Sequence, residues 1–340
     1  MSRYLPALSR LAQALGLLLA VIVLNFLLIQ LAPGDPVDVI VGEMGGASEE
    51  VIALMRADYG LDKPVLTQLA IYVGKVATGD FGYSYYFNQP VLTLILQRLP
   101  ATILLVLSAL SIAVLAGTLL GIFSARRPKG LLSHAVTIFS LAGYSAPVFW
   151  TGLMLLILFA NVWPIFPVSG MTNIRGSGGP VGAVLDVAHH LVLPAVTLAT
   201  IYIASYSRLA RASMLEVLGA DYIRTARAKG LSERRVVYGH ALRNALIPVV
   251  TMVGLQFGQL FAGAVLVETV FNWPGLGRLA YESILRRDYP TLLAILFFSA
   301  VLVMVANELT DLAYRKIDPR IGGASRRRRR AKPQPKGASA

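Results

Sequence analysis

Cysteine is absent from this chain of 340 residues, which excludes disulfide bonds, thiolate metal sites, a cysteine nucleophile and a lipidated cysteine. Charge is also scarce: only 14% of the residues are charged, whereas 56% are hydrophobic. A soluble domain needs more polar surface than this, so the composition predicts a polytopic membrane protein. The charges that are present are mostly basic, and the formal net charge is +13.

The long uncharged segments of the chain also lack the residues that ion-coupled transporters and ATP-binding proteins use. No ionisable side chain lies in the middle of a run, although ion-coupled transporters place such groups there. No phosphate-binding glycine loop with its lysine occurs, and the four histidines lack metal-ligand spacing. We therefore expect no catalytic residue, metal or cofactor in this chain, and a secondary transporter or channel is only a remote alternative.

Six long charge-free runs remain, and five of them have the length of one membrane-spanning helix. The run between Lys129 and Arg175 has 45 residues and fits either one helix or a hairpin of two. With one helix there, 23 basic residues fall on one side of the membrane and 8 on the other, as the positive-inside rule requires. The sequence therefore predicts an all-α membrane protein with six transmembrane helices and both termini cytoplasmic.

The same pattern divides the chain into segments. They are a cytoplasmic N-terminus (1–10), a first transmembrane helix (11–32), an external cap with short helices (33–98), a core with the other five spans (99–315) that includes a cytoplasmic loop (208–243), and a basic disordered tail (316–340). In the cap, Ser48 is expected to cap one short helix, and Pro64 to begin another that ends near Ala77. We attribute the basic tail to anionic membrane lipid; a scaffold that binds nucleic acid is the alternative.

The cytoplasmic loop contains a charged and ordered stretch, GADYIRTARAKGLSERRVVYGH (219–240). Asp221 is a good N-cap for a short basic helix, Gly230 suits a left-handed stop after it, and Ser232 begins a second helix. The apolar face of the first helix consists of Tyr222, Ile223 and Ala226. A simple positive-inside anchor or a helix lying on the bilayer would not require this fixed order, whereas a rigid joint to a cytoplasmic partner would.

The stretch ADYIRTARAKGLSERRVVYGHALRNALIPVV resembles the EAA-type coupling loop of ABC importer permeases, in the form found in the dipeptide/oligopeptide branch. Five other stretches agree with that branch: LAPGDP, GDFGYSY followed by PV, RLPATILLVLSAL, ETVFNWPGLGRLAYESILRRDYP and DPR. The resemblance extends to about Ile321. The leading EAA triplet is not literal, and only Ala226 and Gly230 keep its core.

This resemblance implies a type I ABC importer permease fold in a bacterial or archaeal cytoplasmic (inner) membrane. It also implies three kinds of partner: a second homologous permease subunit, two cytoplasmic ATPase subunits that bind ATP and Mg, and an external substrate-binding protein. The permease itself would not be an enzyme, although the assembled complex would hydrolyse ATP. Peptides are the expected substrate, and nickel chelates or another small solute are the alternative.

Two sets of site residues emerge from these patterns. The resemblance implies that helix 221–229 contacts an ATPase subunit through apolar residues (Tyr222, Ile223, Ala226) and polar ones (Arg224, Arg227, Lys229), with Asp221 as the cap, Gly230 setting the turn and Glu233 orienting the chain beyond that turn. Separately, four amides in the apolar runs are candidates to line a pathway: Asn25, Gln30, Gln256 and Gln259. Interhelical hydrogen bonds are the alternative role for these four residues.

Overall fold

The computed structural model describes residues 5–31, 37, 41–42, 46–58, 62–126, 128–173, 176 and 178–317. The predicted basic tail lies outside the described residues from 318 onward, as do residues 1–4 of the predicted N-terminus. Most of the LAPGDP stretch also lies outside them.

The described residues are mostly helical, which confirms the predicted all-α class. The elements are α1 (Leu5–Leu31), α2 (Glu49–Asp58), α3 (Val65–Ala77), β1 (Tyr83–Ser84), β2 (Gln89–Pro90), α4 (Val91–Arg126), α5 (Leu131–Ser145), α6 (Val148–Leu156), α7 (Pro180–Leu218), α8 (Asp221–Ala228), α9 (Glu233–Arg235), α10 (Leu242–Ala245), α11 (Ile247–Val270), α12 (Leu276–Arg286) and α13 (Tyr289–Ile317). Two π-helical segments, Ile157–Val162 and Val236–Ala241, follow α6 and α9.

Among the described residues, four helical stretches are long and apolar enough to cross a membrane: Val91–Arg126, Pro180–Leu218, Glu233–Gly254 and Tyr289–Thr310. Shorter apolar stretches accompany them: Ala12–Leu28, Val65–Ala77, Val148–Val162 and Gly258–Val270. The first transmembrane helix predicted from the sequence corresponds to α1. The helix that contains the second predicted span begins earlier than position 99. It begins at Val91, and its first turns are held by the buried side chains of Val91, Leu94 and Ile95.

The chain from α5 to the loop that follows the first π-helical segment passes along the bundle once. Its contacts with α7 pair Thr137 with Arg211, Gly152 with Thr197, and Ile165 with His189. As the residue number rises along this segment, the residue number of its contact on α7 falls. The segment therefore runs antiparallel to α7 without turning back. Pro147 interrupts it, because proline has no N–H to donate to a helix. The geometry excludes the hairpin that the charge-free run allowed.

Close packing of α4 on α7 forms the centre of the bundle. A β-carbon at Gly121 would lie 2.6 Å from the Ser207 carbonyl oxygen, and one at Gly117 would lie 2.9 Å from the Ile203 carbonyl oxygen. Only glycine allows the two backbones to come this near, which is the role that small residues have between membrane helices. The second half of α4 is therefore fixed relative to α7.

The segment before α4 contains the two short helices expected there, α2 and α3. The Ser48 hydroxyl accepts a hydrogen bond from the Val51 N–H at 3.4 Å, which is the geometry of the predicted cap. The aromatic stretch that comes next forms a small hairpin of β1 and β2, an element that the turn-rich sequence did not predict. Its Ser84 hydroxyl donates to the Asp288 carboxylate at 2.5 Å, tying the hairpin to the start of α13.

Candidate functional site

The short helix α8 comes directly after α7, and its cap differs from the one expected. Ala220 occupies the N-cap position with extended backbone, and no side chain caps the helix. Asp221 is the first helical residue, so the cap predicted for Asp221 is wrong. Its exposed carboxylate instead lies 3.5 Å from the Arg224 guanidinium, and a negative charge in the first turn also suits the helix dipole.

One face of α8 is buried against the rest of this chain. Ile223 is 0% exposed and Ala226 is 7% exposed. They pack into an apolar cluster made by Ile122 and Ala125 of α4, Met214 of α7, and Val236, Val237, Ala241 and Ala245 after the turn. Full burial of an isoleucine side chain stabilises such a contact by about 1.5–3 kcal/mol. Ile223 and Ala226 therefore hold α8 on the bundle, and they have little surface left for the partner contact predicted for them.

The stop after α8 is the left-handed glycine turn that the sequence predicts. Gly230 has φ of +79°, and its N–H donates to the Arg227 carbonyl at 2.9 Å. Non-glycine residues rarely adopt this φ, which explains why glycine occupies the position. A β-carbon here would meet no atom within 4 Å, so the requirement comes from the backbone alone.

An ion pair spans this turn. Arg227 donates to Glu233 through two hydrogen bonds, Nε to Oε2 at 3.1 Å and Nη2 to Oε1 at 2.8 Å. These hydrogen bonds lower the pKa of the Glu233 carboxyl and raise the pKa of the Arg227 guanidinium. The pair links α8 to the chain after the turn, and both side chains remain partly exposed, so the partner contact of Arg227 stays a prediction.

Tyr222 connects α8 to the helical segment after the turn. Its hydroxyl accepts a hydrogen bond from Asn244 Nδ2 at 2.8 Å, and the side chain remains 45% exposed. The Asn244 contact was not predicted, because its partner lies 22 residues away and no periodicity links them. Ser232 occupies the N-cap position of α9 as expected, although its side chain makes no capping hydrogen bond.

The outward face of α8 is polar and basic. Arg224 and the C-cap residue Lys229 are exposed, and Tyr222 is 45% exposed. The short helix α8 is held on the bundle by two buried apolar side chains and ends at a glycine turn. Its cationic groups are exposed to solvent. A force applied to such a helix can be transmitted to the bundle, because the buried side chains prevent the helix from rotating against the residues it packs on.

The four amide candidates for a pathway lie in different surroundings. Asn25 is buried and donates to the Leu293 carbonyl at 3.0 Å, and Gln30 donates to Gln68 at 2.7 Å. These are contacts between helices, the alternative role. Gln256 is 8% exposed and its Oε1 accepts no hydrogen bond from the described residues, whereas Gln259 is exposed. A pathway role for Gln256 and Gln259 stays a prediction.

Two family models match the sequence. Residues 117–323 match the binding-protein-dependent transport system inner membrane component, and residues 1–106 match the N-terminal part of the corresponding membrane component. The first of these includes both the helix α8 and the cluster that supports it.

Three curated relatives are similar to this chain over most of its length. The di/tripeptide transport system permease protein DppB of Pseudomonas aeruginosa is 44% identical over 336 residues, covering 92% of this chain and 98% of that protein. The dipeptide transport system permease protein DppB of Escherichia coli K12 is 40% identical, covering 92% and 97%. The oligopeptide transport system permease protein AppB of Bacillus subtilis is 39% identical, also covering 92% and 97%.

Among solved structures, the chain resembles an inward-facing form of the MetNI methionine ABC transporter. The TM-score is 0.52 at 16% sequence identity, and the match covers 67% of this chain and 97% of that one. At this identity the likeness shows the fold, which is the type I importer permease fold expected from the sequence.

Proposed function

This chain belongs to the family of binding-protein-dependent transport system inner membrane components, and from that premise we propose that it conducts peptides as the permease subunit of an ATP-driven ABC importer. It is an integral inner-membrane subunit that works with other ABC components. Relatives named for dipeptide, di/tripeptide and oligopeptide transport support a peptide substrate for this chain.

The observation that carries the proposal is the packing of α8 against the ends of α4 and α7. Ile223 and Ala226 fix it to the ends of α4 and α7, and its exposed cationic face points away from the bundle. In the proposed cycle, α8 sits in a groove on an ATPase subunit, and closure of the ATPase pair pushes it. Because α8 is fixed to two long helices, the push rocks those helices between inward-open and outward-open arrangements.

The proposed assembly contains four further subunits and uses no cofactor of this chain. A second homologous permease completes the pathway, two cytoplasmic ATPase subunits bind ATP and Mg, and an external binding protein delivers the peptide. The six-span topology with cytoplasmic termini belongs to the same proposal. It places α8 on the cytoplasmic side, where ATP is available.

Purification followed by reconstitution tests this function. The tagged chain is purified in mild detergent, its co-purifying subunits are identified, and the complex is placed in liposomes with the binding protein and a labelled dipeptide. We expect uptake that requires ATP, is competed by unlabelled peptides and is not competed by a nickel chelate. Uptake by the lone chain without ATP would instead favour a secondary transporter or channel.

A further inference from the structure

A buried carboxylate lies at the end of the bundle opposite to α8. Glu268, near the end of α11, is 0% exposed. Its Oε2 accepts hydrogen bonds from the N–H groups of Gly277 at 2.7 Å and Arg278 at 3.0 Å, in the first turn of α12. A carboxylate placed on these N–H groups complements the helix dipole. Glu268 therefore joins α11 to α12.

Thr102 extends this connection to α4. Its hydroxyl donates to Glu268 Oε1 at 2.6 Å and accepts from the Leu276 N–H at 2.7 Å. The neighbouring carbonyl of Ala101 accepts from Trp273 Nε1 at 2.9 Å, and Trp273 is itself fully buried. We call Glu268, Thr102 and the N–H groups of residues 276–278 the Glu268 joint. It connects three helices through one hydrogen-bonded centre.

The backbone around the joint is shaped to receive the carboxylate. A β-carbon at Gly275 would collide with the Glu268 carboxylate, and one at Gly277 would lie 2.5 Å from Val265 Cα. The Arg278 guanidinium is directed elsewhere, to Glu282 Oε1 at 2.8 Å and to the Asn272 carbonyl at 3.2 Å. The motif ETVFNWPGLGR thus supplies the buried acid, the buried tryptophan and the two glycines.

A polar joint fixes geometry more strictly than apolar packing does. Hydrogen bonds in a buried network have preferred directions, and breaking one leaves a buried group without a partner. Apolar contacts between Leu276, Leu279 and the start of α4 would still bury area if the helices slid. The joint therefore holds the three helices in one arrangement where they meet.

The position of the joint links it to α8. Thr102 lies about twenty positions before Ile122 on α4, and Ile122 belongs to the cluster that supports α8. Twenty helical residues span roughly 30 Å, the thickness of the hydrocarbon core of a bilayer. One continuous helix thus carries the support of α8 toward one end and the joint toward the other.

We propose that Glu268 and Thr102 are positioning residues of the transport cycle, which make α4, α11 and α12 move as one unit at the joint when α8 is displaced. The proposal rests on the function proposed above. Without the joint, a displacement at α8 would still reach α4, but α12 would no longer move with it. ATP hydrolysis would then continue with less transport for each ATP consumed.

A pair of substitutions at Thr102 tests this role. Thr102→Val keeps the shape and removes both hydrogen bonds, whereas Thr102→Ser keeps the hydroxyl. In the complete reconstituted complex we expect Thr102→Val to lower peptide transported per ATP hydrolysed by about ten-fold, the scale of losing a buried hydrogen bond. Thr102→Ser should restore that ratio.

A distance measurement separates this role from simple destabilisation. The chain has no cysteine, so spin labels at Leu107→Cys on α4 and Ile284→Cys on α12 report on these helices without native background from this chain. We expect one narrow distance distribution in both resting and nucleotide-trapped complexes, and a broad or shifted one after Thr102→Val. If Thr102→Val leaves both the distance distribution and the transport ratio unchanged, the inference is overturned. Absence of ATP-driven uptake by the unsubstituted complex would instead overturn the proposed function.

Discussion

Replacing Gly230 isolates the contribution of the turn that ends α8. The residue has φ of +79°, and no atom lies within 4 Å of the position that a β-carbon would take. A substitution therefore introduces backbone strain without a collision. Left-handed backbone costs an L-residue about 1–2 kcal/mol, and a β-branched residue more.

This strain is similar in size to the energy that holds α8 on the bundle. Burial of Ile223 stabilises that contact by about 1.5–3 kcal/mol, so a comparable strain shifts the turn toward other conformations in which α8 is not seated. A cost of about 1–2 kcal/mol changes such a population by about 5- to 30-fold. We expect Gly230→Ala to reduce coupling partly and Gly230→Val to abolish it.

Peptide-stimulated ATPase activity and uptake by the reconstituted complex measure this effect. The amount of protein in the membrane fraction should be unchanged, because the turn lies outside the apolar spans. Gly230→Asn is the matched control, since asparagine tolerates left-handed backbone better than most other side chains. Uptake at the original rate with Gly230→Val would refute the argument that this turn positions α8.

Three further predictions test separate parts of the structure. Ile223→Ala opens a cavity beneath α8 and should lower stability by about 2–5 kcal/mol, whereas Ile223→Val should cost about 0.5–1.5 kcal/mol; thermal unfolding in detergent measures both. Gly121→Leu forces a side chain into the Ser207 carbonyl and should prevent assembly of the bundle. Gly74→Leu, which has open space around it, should not. Size-exclusion chromatography of the purified proteins compares how much of each is folded and monodisperse. Because the hydrogen bonds from Arg227 lower the pKa of Glu233, their pair should stabilise the turn fully above the ordinary pKa of a glutamate. This stabilisation should be lost as the pH falls through the lowered pKa. Proteolysis at residues 229–232 against pH should show this loss in the original chain and not in Glu233→Gln; the same profile in both would contradict it.

The sequence predicted features that depend on local chemistry. The glycine stop at Gly230, the Ser48 cap and the two helices after it depend on backbone preferences of individual residues. The single pass of α5 and α6 was predicted from the charge distribution, since a hairpin would place eight basic residues on the wrong side. These features need no knowledge of distant contacts.

Contacts across the chain were not predictable in the same way. Ile223 and Ala226 look like a partner surface on an isolated helix, and only the folded bundle shows that Ile122 and Met214 cover them. Glu268 looks like a charge at the end of a span, because its partner Thr102 lies 166 residues earlier. Helical periodicity defines which residues share a face, but it does not define what that face meets.

The surface opposite Ile223 and Ala226 remains available for a partner, and covalent capture tests the central claim most directly. A photoreactive group attached at Arg224→Cys lies on the exposed face of α8. The same group at Leu285→Cys lies at an exposed position of α12, at the other end of the bundle. Neither position competes with a native cysteine of this chain. We predict that position 224 becomes linked to the ATPase subunit, with a yield that changes on ATP binding, and that position 285 does not. Linkage to the ATPase from position 285, with none from position 224, would contradict the account.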